Sequence, residues 1–215
     1  MIKIGKDISK FSAHSYIPKN VNELRSLIET WIWEHGIDCD LNDIDVSQIE
    51  DMSGLFYYLD FRGDVSEWDV SNVTNMSRMF AYSKFNSDIS KWNVSNVKYM
   101  SEMFYKSYFN SDISNWDTSN VIDMYSMFTD SKFNSDISKW NVSKVTNMAY
   151  MFNKSEFNQQ IGDWDVSNVK SMIHMFRESK FNQNINKWKI REDCVTYNMF
   201  DWCPIKNNFM PILPK

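Results

Sequence analysis

The chain has little of what marks a disulfide-stapled, metal-binding or membrane-spanning protein. It holds three cysteines, Cys39, Cys194 and Cys203, with no CxxC spacing, so we expect free thiols. Its three histidines are scattered, and we expect neither a metal ion nor a cofactor. No apolar run approaches the roughly 20 residues that span a bilayer, so a membrane is not an expected partner.

Clustered positive charge is also missing. The formal net charge is −5 at pH 7, which argues against nucleic acid as the main partner, because phosphate backbones reward clustered Lys and Arg. The N-terminal residues contain no apolar core of a secretion signal, and the chain as written has no anchor motif. From this we expect a cytoplasmic location.

A repeat accounts for what is abundant. Of the 14 methionines, 12 fall in one recurring motif. Tryptophan returns every 24 residues, as Trp68, Trp92, Trp116, Trp140, Trp164 and Trp188. Two phenylalanine columns keep the same interval: Phe56, Phe80, Phe104, Phe128, Phe152, Phe176 and Phe200, and Phe61, Phe85, Phe109, Phe133, Phe157 and Phe181. Self-similarity at such a period is typical of stacked repeats.

Each 24-residue unit contains two apolar patterns. The stretch ISKWNV at 89–94 ends in alternation, with Trp92 on the buried face, which is typical of a half-buried strand. Met100, Met103 and Phe104 lie at i, i+3 and i+4, which predicts a short helical segment. A single coil cannot bury its own apolar face, so we expect an α/β repeat solenoid of stacked coils, each with one short parallel strand and one short helical segment.

The ends of the array are expected to differ from its middle. Asn20 and Glu23 have the spacing of an N-terminal capping box, which predicts a helix at about 20–36 that covers the first coil. The predicted divisions are an N-terminal cap at 1–43, six to seven coils at 44–204 and an incomplete coil at 205–215.

The repeat W-x-V-S-N-V…M-x-x-M-F, written over residues 41–200, resembles the BspA-like leucine-rich-repeat surface proteins of bacteria. The resemblance implies right-handed, leucine-rich-repeat-like coils and a role in adhesion or protein binding on secreted or surface proteins. It implies no catalytic residue. The missing signal favours an alternative, an intracellular protein of a phage or mobile element that binds and inhibits or scaffolds a host protein complex.

Polar residues flank the tryptophans and would form an exposed ladder on the strand face. Acidic coils alternate with basic ones, and opposite charges in register support neighbouring strands. A groove for a charged ligand is the alternative. Carboxylates roughly 6–10 Å apart also leave a carbohydrate-active enzyme as a third possibility, since inverting glycosidases need about 6.5–9.5 Å. The ladder consists of Glu67, Asp69, Lys91, Asn93, Asp117, Lys139, Asp163 and Asp165.

Asparagines form a further column that also repeats at 24 residues. We interpret their side chains as hydrogen-bonding partners of turn backbone. Calcium held between coils is the alternative. The column contains Asn86, Asn110, Asn134, Asn158 and Asn182.

Most tyrosines are large residues that stand outside the repeated apolar positions. Eight of the 10 tyrosines lie at repeat positions outside the apolar columns, on the predicted helical side. Tyrosine is enriched at interfaces because it combines a large contact area with a polar tip. Shielding of Met and Phe from water is the structural alternative. We therefore predict a non-catalytic module that binds another protein through Tyr82, Tyr99, Tyr105, Tyr108, Tyr125 and Tyr150.

Overall fold

The computed structural model describes residues 16–214; the predicted cap residues 1–15 lie outside this range. Within it the helices are α1 at Val21–His35 and a 3₁₀ helix at Asn207–Phe209. No helix in this part of the chain is long and apolar enough to cross a membrane. Most other residues form turns and links, in successive repeats that lie on one another.

Helix α1 has a side-chain cap at its start and a glycine after its end. The Asn20 Oδ1 accepts backbone N–H groups of the first turn at 3.0 and 3.1 Å. The Glu23 carboxylate accepts the N–H of Lys19, the residue before the cap, at 3.0 Å, so the return bond of the predicted capping box is shifted by one residue. Gly36 follows the helix with φ +92°, a backbone conformation that favours glycine. These contacts delimit the helix close to the predicted 20–36.

Helix α1 covers the first repeat with apolar and polar contacts. Leu24 and Ile28 are fully buried, and burial of such side chains stabilises by about 1.5–3 kcal/mol each. The Arg25 guanidinium donates to the carbonyl oxygens of Gly54 at 2.7 Å and Tyr57 at 3.1 Å. The helix therefore supplies a donor to the Tyr57 carbonyl, whose equivalents in later repeats accept an N–H from the preceding repeat.

Two columns of phenylalanine rings run through the stack. From Phe56 to Phe200, consecutive ring centroids are 5.3–5.8 Å apart. From Phe61 to Phe181, they are 6.0–6.3 Å apart. Every ring in both columns is fully buried except Phe200, which is half-buried. Each repeat thus covers the apolar face of its neighbour.

The tryptophans form a third column, which hydrogen bonds hold in register. Each indole Nε1–H donates to the carbonyl oxygen of the residue 27 positions earlier, at 2.9–3.2 Å. The rings of Trp68 and Trp92 are nearly parallel, with centroids 6.3 Å apart. A register shift of one residue would leave these buried donors without partners, which is costly.

Residues 100–107 and their equivalents, the turn segments, are not helical. The sequence predicts a helical segment at Met100, Met103 and Phe104, but the structure has turns there. The N–H groups of Met100, Glu102 and Phe104 donate to carbonyl oxygens of the next repeat at 2.8–3.0 Å. In an α-helix they would bond to residues four positions earlier. The backbone donors thus join repeats.

The turn segments use a left-handed backbone at residues other than glycine. Among the described residues, 13 such residues have φ between 50° and 61°. Glu102, at 56°, is the third residue of a turn that the Met103 N–H closes onto the Met100 carbonyl at 3.2 Å. Lys106 has the same place in the next turn, at 50°. This is the pattern of type II turns, and it costs about 1–2 kcal/mol per residue, which the stacking contacts must offset.

The parallel backbone pairing between repeats also lies outside the segment predicted to be a strand. Isolated parallel bridges join residues 24 apart in one column that runs from Asp51 to Val195, just before each turn segment. The predicted strand at 89–94 carries no bridge. Instead, the Trp92 N–H bonds back to the Ile89 carbonyl at 3.2 Å, so this segment turns.

A ladder of asparagine side chains joins the repeats as well. The Asn110 Oδ1 accepts the Asn134 N–H at 2.7 Å, and the other steps of the ladder are 2.7–2.8 Å. The last step runs from the Lys206 N–H to Asn182 at 3.2 Å. The interpretation that these side chains bond to backbone is confirmed, and the bonds run between repeats.

Candidate binding face

Exposed and half-buried aromatic side chains gather on the turn segments of the first repeats. The rings of Tyr58 and Tyr82 are stacked, with centroids 4.2 Å apart and planes at 13°. Tyr57 packs edge-on against Tyr58 at 4.7 Å, and Tyr105 packs edge-on against Tyr82 at 5.2 Å. The Lys106 Nζ lies 5.5 Å from the Tyr82 centroid, which is within cation–π range. These five residues form the aromatic cluster.

Backbone geometry presents the cluster to solvent. Tyr58, Tyr82 and Lys106 occupy one repeat position, with φ values of +57°, +57° and +50°. A bulky side chain at positive φ is uncommon, so the backbone does not favour tyrosine at this place. Tyr58 keeps 62% of its surface exposed, and its hydrogen bond with Tyr82 raises its pKa. Neither the turn nor the core requires this ring.

A second aromatic row follows the later turn segments. The ring centroids of Tyr125 and Tyr150 are 5.8 Å apart, and those of Tyr150 and His174 are 4.9 Å apart. His174 also packs edge-on against Tyr197 at 5.8 Å. The His174 Nδ1 is buried and has no hydrogen-bond partner within the described chain. The row extends the aromatic surface to the last repeat.

The structure pairs four of the six predicted tyrosines. Tyr82 lies against Tyr105 in the aromatic cluster, and the other pair belongs to the second row. Tyr99 and Tyr108 are 43% and 60% exposed, and neither has a ring partner among residues 16–214. A role of all six in partner binding stays a prediction.

The predicted site left out several residues that the structure places beside it. Tyr57, Tyr58 and Lys106 belong to the aromatic cluster, and His174 belongs to the second row. The sequence period could have identified Lys106, because it stands 24 residues after Tyr82 and 48 residues after Tyr58 and so occupies the same repeat position. Side chains one repeat apart lie over each other, so this column had to be considered together.

Half of the residues in the predicted charged ladder beside the tryptophans make turn contacts. Glu67 and Lys91 form an ion pair at 3.4 Å, but their side chains are 66% and 73% exposed, so the pair contributes little. Lys139 and Asp163 are exposed. The other members use Oδ1 to accept the backbone N–H two residues later at 3.0–3.2 Å, as Asx turns do: Asp69, Asn93, Asp117 and Asp165.

Opposite charges in register occur on the turn segments too. Arg78 pairs with Glu102, 24 residues later, through two contacts at 2.8 and 3.1 Å. Lys106 and Asp130 lie 3.9 Å apart with the same separation along the chain. Neighbouring repeats therefore match charges as well as apolar side chains.

A small groove opens beside the predicted carboxylates. It has a volume of about 230 Å³, and Asp163 and Lys187 lie on its walls. Gly162 is required there, because a Cβ atom would lie 2.5 Å from the Asn184 carbonyl oxygen. Small-molecule pockets are usually about 300–1,000 Å³. In the described part of the chain, no group of His, Cys, Asp and Glu could hold a metal ion.

Comparison with known proteins identifies a family of repeats. Residues 24–132 and 106–210 match the family described as "Mycoplasma protein of unknown function, DUF285". No curated protein and no solved structure matches the chain. The two matched stretches overlap, and together they cover most of the 215 residues. The chain therefore belongs to the DUF285 family of Mycoplasma proteins of unknown function.

Proposed function

We propose that the chain is a right-handed, leucine-rich-repeat-like solenoid that binds another protein without catalysing a reaction. The partner contacts the aromatic cluster. The observation that carries the proposal is the ring stack of the exposed Tyr58 and the half-buried Tyr82 beside Lys106, at positions that the core does not use. Aromatic rings with polar tips and a flanking cation supply contact area and direction in protein interfaces.

The cluster is held in one conformation before a partner arrives. Beneath it, the Tyr58 N–H donates to the Ala81 carbonyl at 3.2 Å, and the Tyr82 N–H donates to the Tyr105 carbonyl at 2.8 Å. Stacking restricts the rings themselves, so binding costs little additional side-chain entropy. An apolar patch with a carboxylate opposite Lys106 fits this surface.

The carboxylates beside the tryptophans support a non-catalytic role. Hydrogen bonds from the serines two residues later lower the pKa values of Asp117 and Asp165. A glycosidase general acid needs a raised pKa. Burial raises the pKa of Asp123, but its Oδ1 accepts the Tyr125 N–H at 2.9 Å in the same kind of turn. These groups organise backbone.

Two biological settings would use such a surface. The resemblance to BspA-like proteins favours adhesion at the cell surface, and the alternative is inhibition or scaffolding of a host complex inside the cell. Treatment of intact native cells with an external protease separates them. Cleavage of the protein supports adhesion, and full protection supports the intracellular role.

The aromatic cluster is tested with the double variant Tyr58→Ala/Tyr82→Ala. Partners are captured from native cells with the tagged full chain, purified, and titrated by calorimetry. Because truncation of an interface hot spot costs more than about 1 kcal/mol, the double variant should bind at least about tenfold more weakly. Its melting temperature should stay close to that of the wild type, since the rings are outside the core.

The matched control is Lys139→Ala/Asp163→Ala, which changes two exposed side chains beside the tryptophans. This variant should keep wild-type affinity. Equal affinity of the wild type and the tyrosine variant for every captured partner would refute the proposed site.

A further inference from the structure

The last turn segment ends the stack with a row of unpaired backbone donors. In the preceding step, four N–H groups donate to carbonyl oxygens of the last repeat at 2.8–3.0 Å: those of Met172, His174, Phe176 and Glu178. All five earlier steps have the same four bonds. The equivalent N–H groups of the last repeat have no partner among residues 16–214: those of Thr196, Asn198, Phe200 and Trp202.

On the turn side of the stack, these inter-repeat hydrogen bonds therefore all point in the same direction. Its inter-repeat donors face the C-terminal end, and its acceptors face the N-terminal end. At the acceptor end, Arg25 of α1 donates to the Tyr57 carbonyl oxygen, one of the four inter-repeat acceptors of the first turn segment. At the donor end, no described group fills the corresponding role. We call the row of N–H groups of Thr196, Asn198, Phe200 and Trp202 the donor edge. An ordinary strand edge alternates donors and acceptors, whereas the donor edge presents only donors.

The apolar core is open at the same place. The Phe200 ring stacks on Phe176 at 5.8 Å but is only half-buried, because no ring from residues 16–214 lies on its other side. Val195, Tyr197 and Trp202 around it are 50%, 67% and 80% exposed. Unpaired backbone donors and an uncovered phenylalanine thus share one end of the stack.

We propose that this donor edge binds a segment of a different protein that carries the turn sequence M-x-x-M-F of the repeat. The segment docks as one further turn segment at the end of the stack. Four of its carbonyl oxygens, at alternate residues, accept the four N–H groups of the donor edge, and its phenylalanine ring stacks on Phe200. The contact continues an interface that the turn segments already form six times. Main-chain bonds supply affinity and the apolar side chains supply specificity, as in other cases where a chain segment is added to an edge. This surface is separate from the aromatic cluster.

A folded second copy cannot supply this further turn segment. Its internal turn segments already lie between repeats. Its first turn segment is covered by α1, because Leu55 is fully buried and Arg25 occupies carbonyl oxygens there. A β-strand would satisfy the donor edge only in part, because half of its outward groups are donors. An extended segment that adopts the turn conformation on docking fits the edge.

The probe is a fluorescent peptide with the sequence of residues 143–155, SKVTNMAYMFNKS. It is titrated with the full chain, and binding is followed by anisotropy. A second peptide carries Met148→Ser, Met151→Ser and Phe152→Ser, and a third of equal length contains only Glu and Ser. We expect saturable binding of the first peptide, and at least about tenfold weaker binding of the other two.

Three variants of the full chain locate the contact. Phe200→Glu should weaken peptide binding by at least about tenfold, because a charge would be buried against the incoming ring. Trp202→Ala, at a residue 80% exposed, should weaken it several-fold without disturbing the fold. Trp33→Ala, at a residue 85% exposed on α1, is the matched control and should bind normally. Thermal unfolding of each variant checks that the fold is retained.

Several results would overturn the proposal. One is equal affinity for the repeat peptide and either control peptide, and another is normal binding by both Phe200→Glu and Trp202→Ala. Self-association of the chain that competes with the peptide would assign the edge to a second copy instead. Because Tyr58→Ala/Tyr82→Ala should leave peptide binding unchanged, failure of the aromatic cluster and failure of the donor edge are distinguishable.

Discussion

Replacing one phenylalanine in the middle of the stack tests whether the repeats stabilise each other. Phe128 is fully buried, and its ring lies between those of Phe104 and Phe152 at 5.6 and 5.7 Å. Phe128→Ala therefore opens a cavity between repeats, and such a change in a core costs about 3–5 kcal/mol. Phe200 is half-buried with one face open, so Phe200→Ala should cost about 1–2 kcal/mol.

The variants are compared by thermal unfolding, followed by tryptophan fluorescence. For a chain of this size, each kcal/mol lowers the melting temperature by about 2–4 °C. Phe128→Ala should therefore lower it by about 6–20 °C, and Phe200→Ala by about 2–8 °C. Phe128→Leu, which keeps more apolar volume, should fall between wild type and Phe128→Ala. Equal losses at the two positions would refute the reasoning, because they would mean that the central ring is not covered on both faces.

Three further predictions concern single side chains. Asn134→Ala removes the Oδ1 that accepts the Asn158 N–H at 2.7 Å and should lower the free energy of unfolding in urea by about 1–3 kcal/mol. Asn134→Asp keeps an acceptor and should lose less; equal losses would contradict the ladder. Hydrogen bonds from Ser119 hold the pKa of Asp117 below its ordinary value, so its contribution to stability is complete above the unfolded pKa of about 3.9 and is lost as pH falls through the lower folded pKa. The difference in melting temperature between wild type and Asp117→Asn should shrink on acidification from about pH 6 to about pH 2, and a constant difference would exclude this linkage. Burial raises the pKa of Cys194 to about 11, so in a variant whose other cysteines are serine its thiol should react slowly with a disulfide reagent, and a rate as fast as in the unfolded chain would contradict its burial.

The apolar columns could be predicted from the sequence because the same apolar residues recur at a constant interval. Phenylalanines such as Phe80 and Phe104 recur at a fixed interval of 24 residues. Side chains at equivalent positions can all be buried only if the repeats stack on one another. The hydrogen bond of each indole to a residue 27 positions earlier could not be predicted. It depends on how far each repeat is offset from the next, which no local pattern encodes.

The conformation of the turn segments escaped prediction because its usual signal is absent. The spacing of Met100, Met103 and Phe104 suits both a helix and consecutive type II turns. Glycine normally marks the third position of such turns, but Glu102 and Lys106 stand there, and the chain has only 5 glycines. Hydrogen bonds to the next repeat impose the conformation, and these are non-local.

The aromatic cluster was predicted in part for a related reason. The enrichment of tyrosine at protein interfaces led to the prediction of Tyr82 and Tyr105. Residue type alone, however, does not show which side chains lie next to each other. Lys106 joins the cluster because stacking places it over the Tyr82 ring, and Tyr58 joins it from the other side. Reading down each repeat column, rather than along the chain, recovers both.

The uniform direction of the turn segments makes the two ends of the stack chemically different, as the two ends of a helix are. Aligned peptide dipoles favour donors or cations at an acceptor end and acceptors at a donor end. At the start of α1 the Asn20 side chain accepts two backbone donors, and at the start of the stack Arg25 donates to the Tyr57 carbonyl, one of the inter-repeat acceptors. Within residues 16–214 the chain supplies no acceptor for the donors from Thr196 to Trp202. The start of α1 and part of the start of the stack are thus capped by described residues. Because the end of the stack presents donors, we expect its ligand to be a segment rich in carbonyl groups rather than a cation.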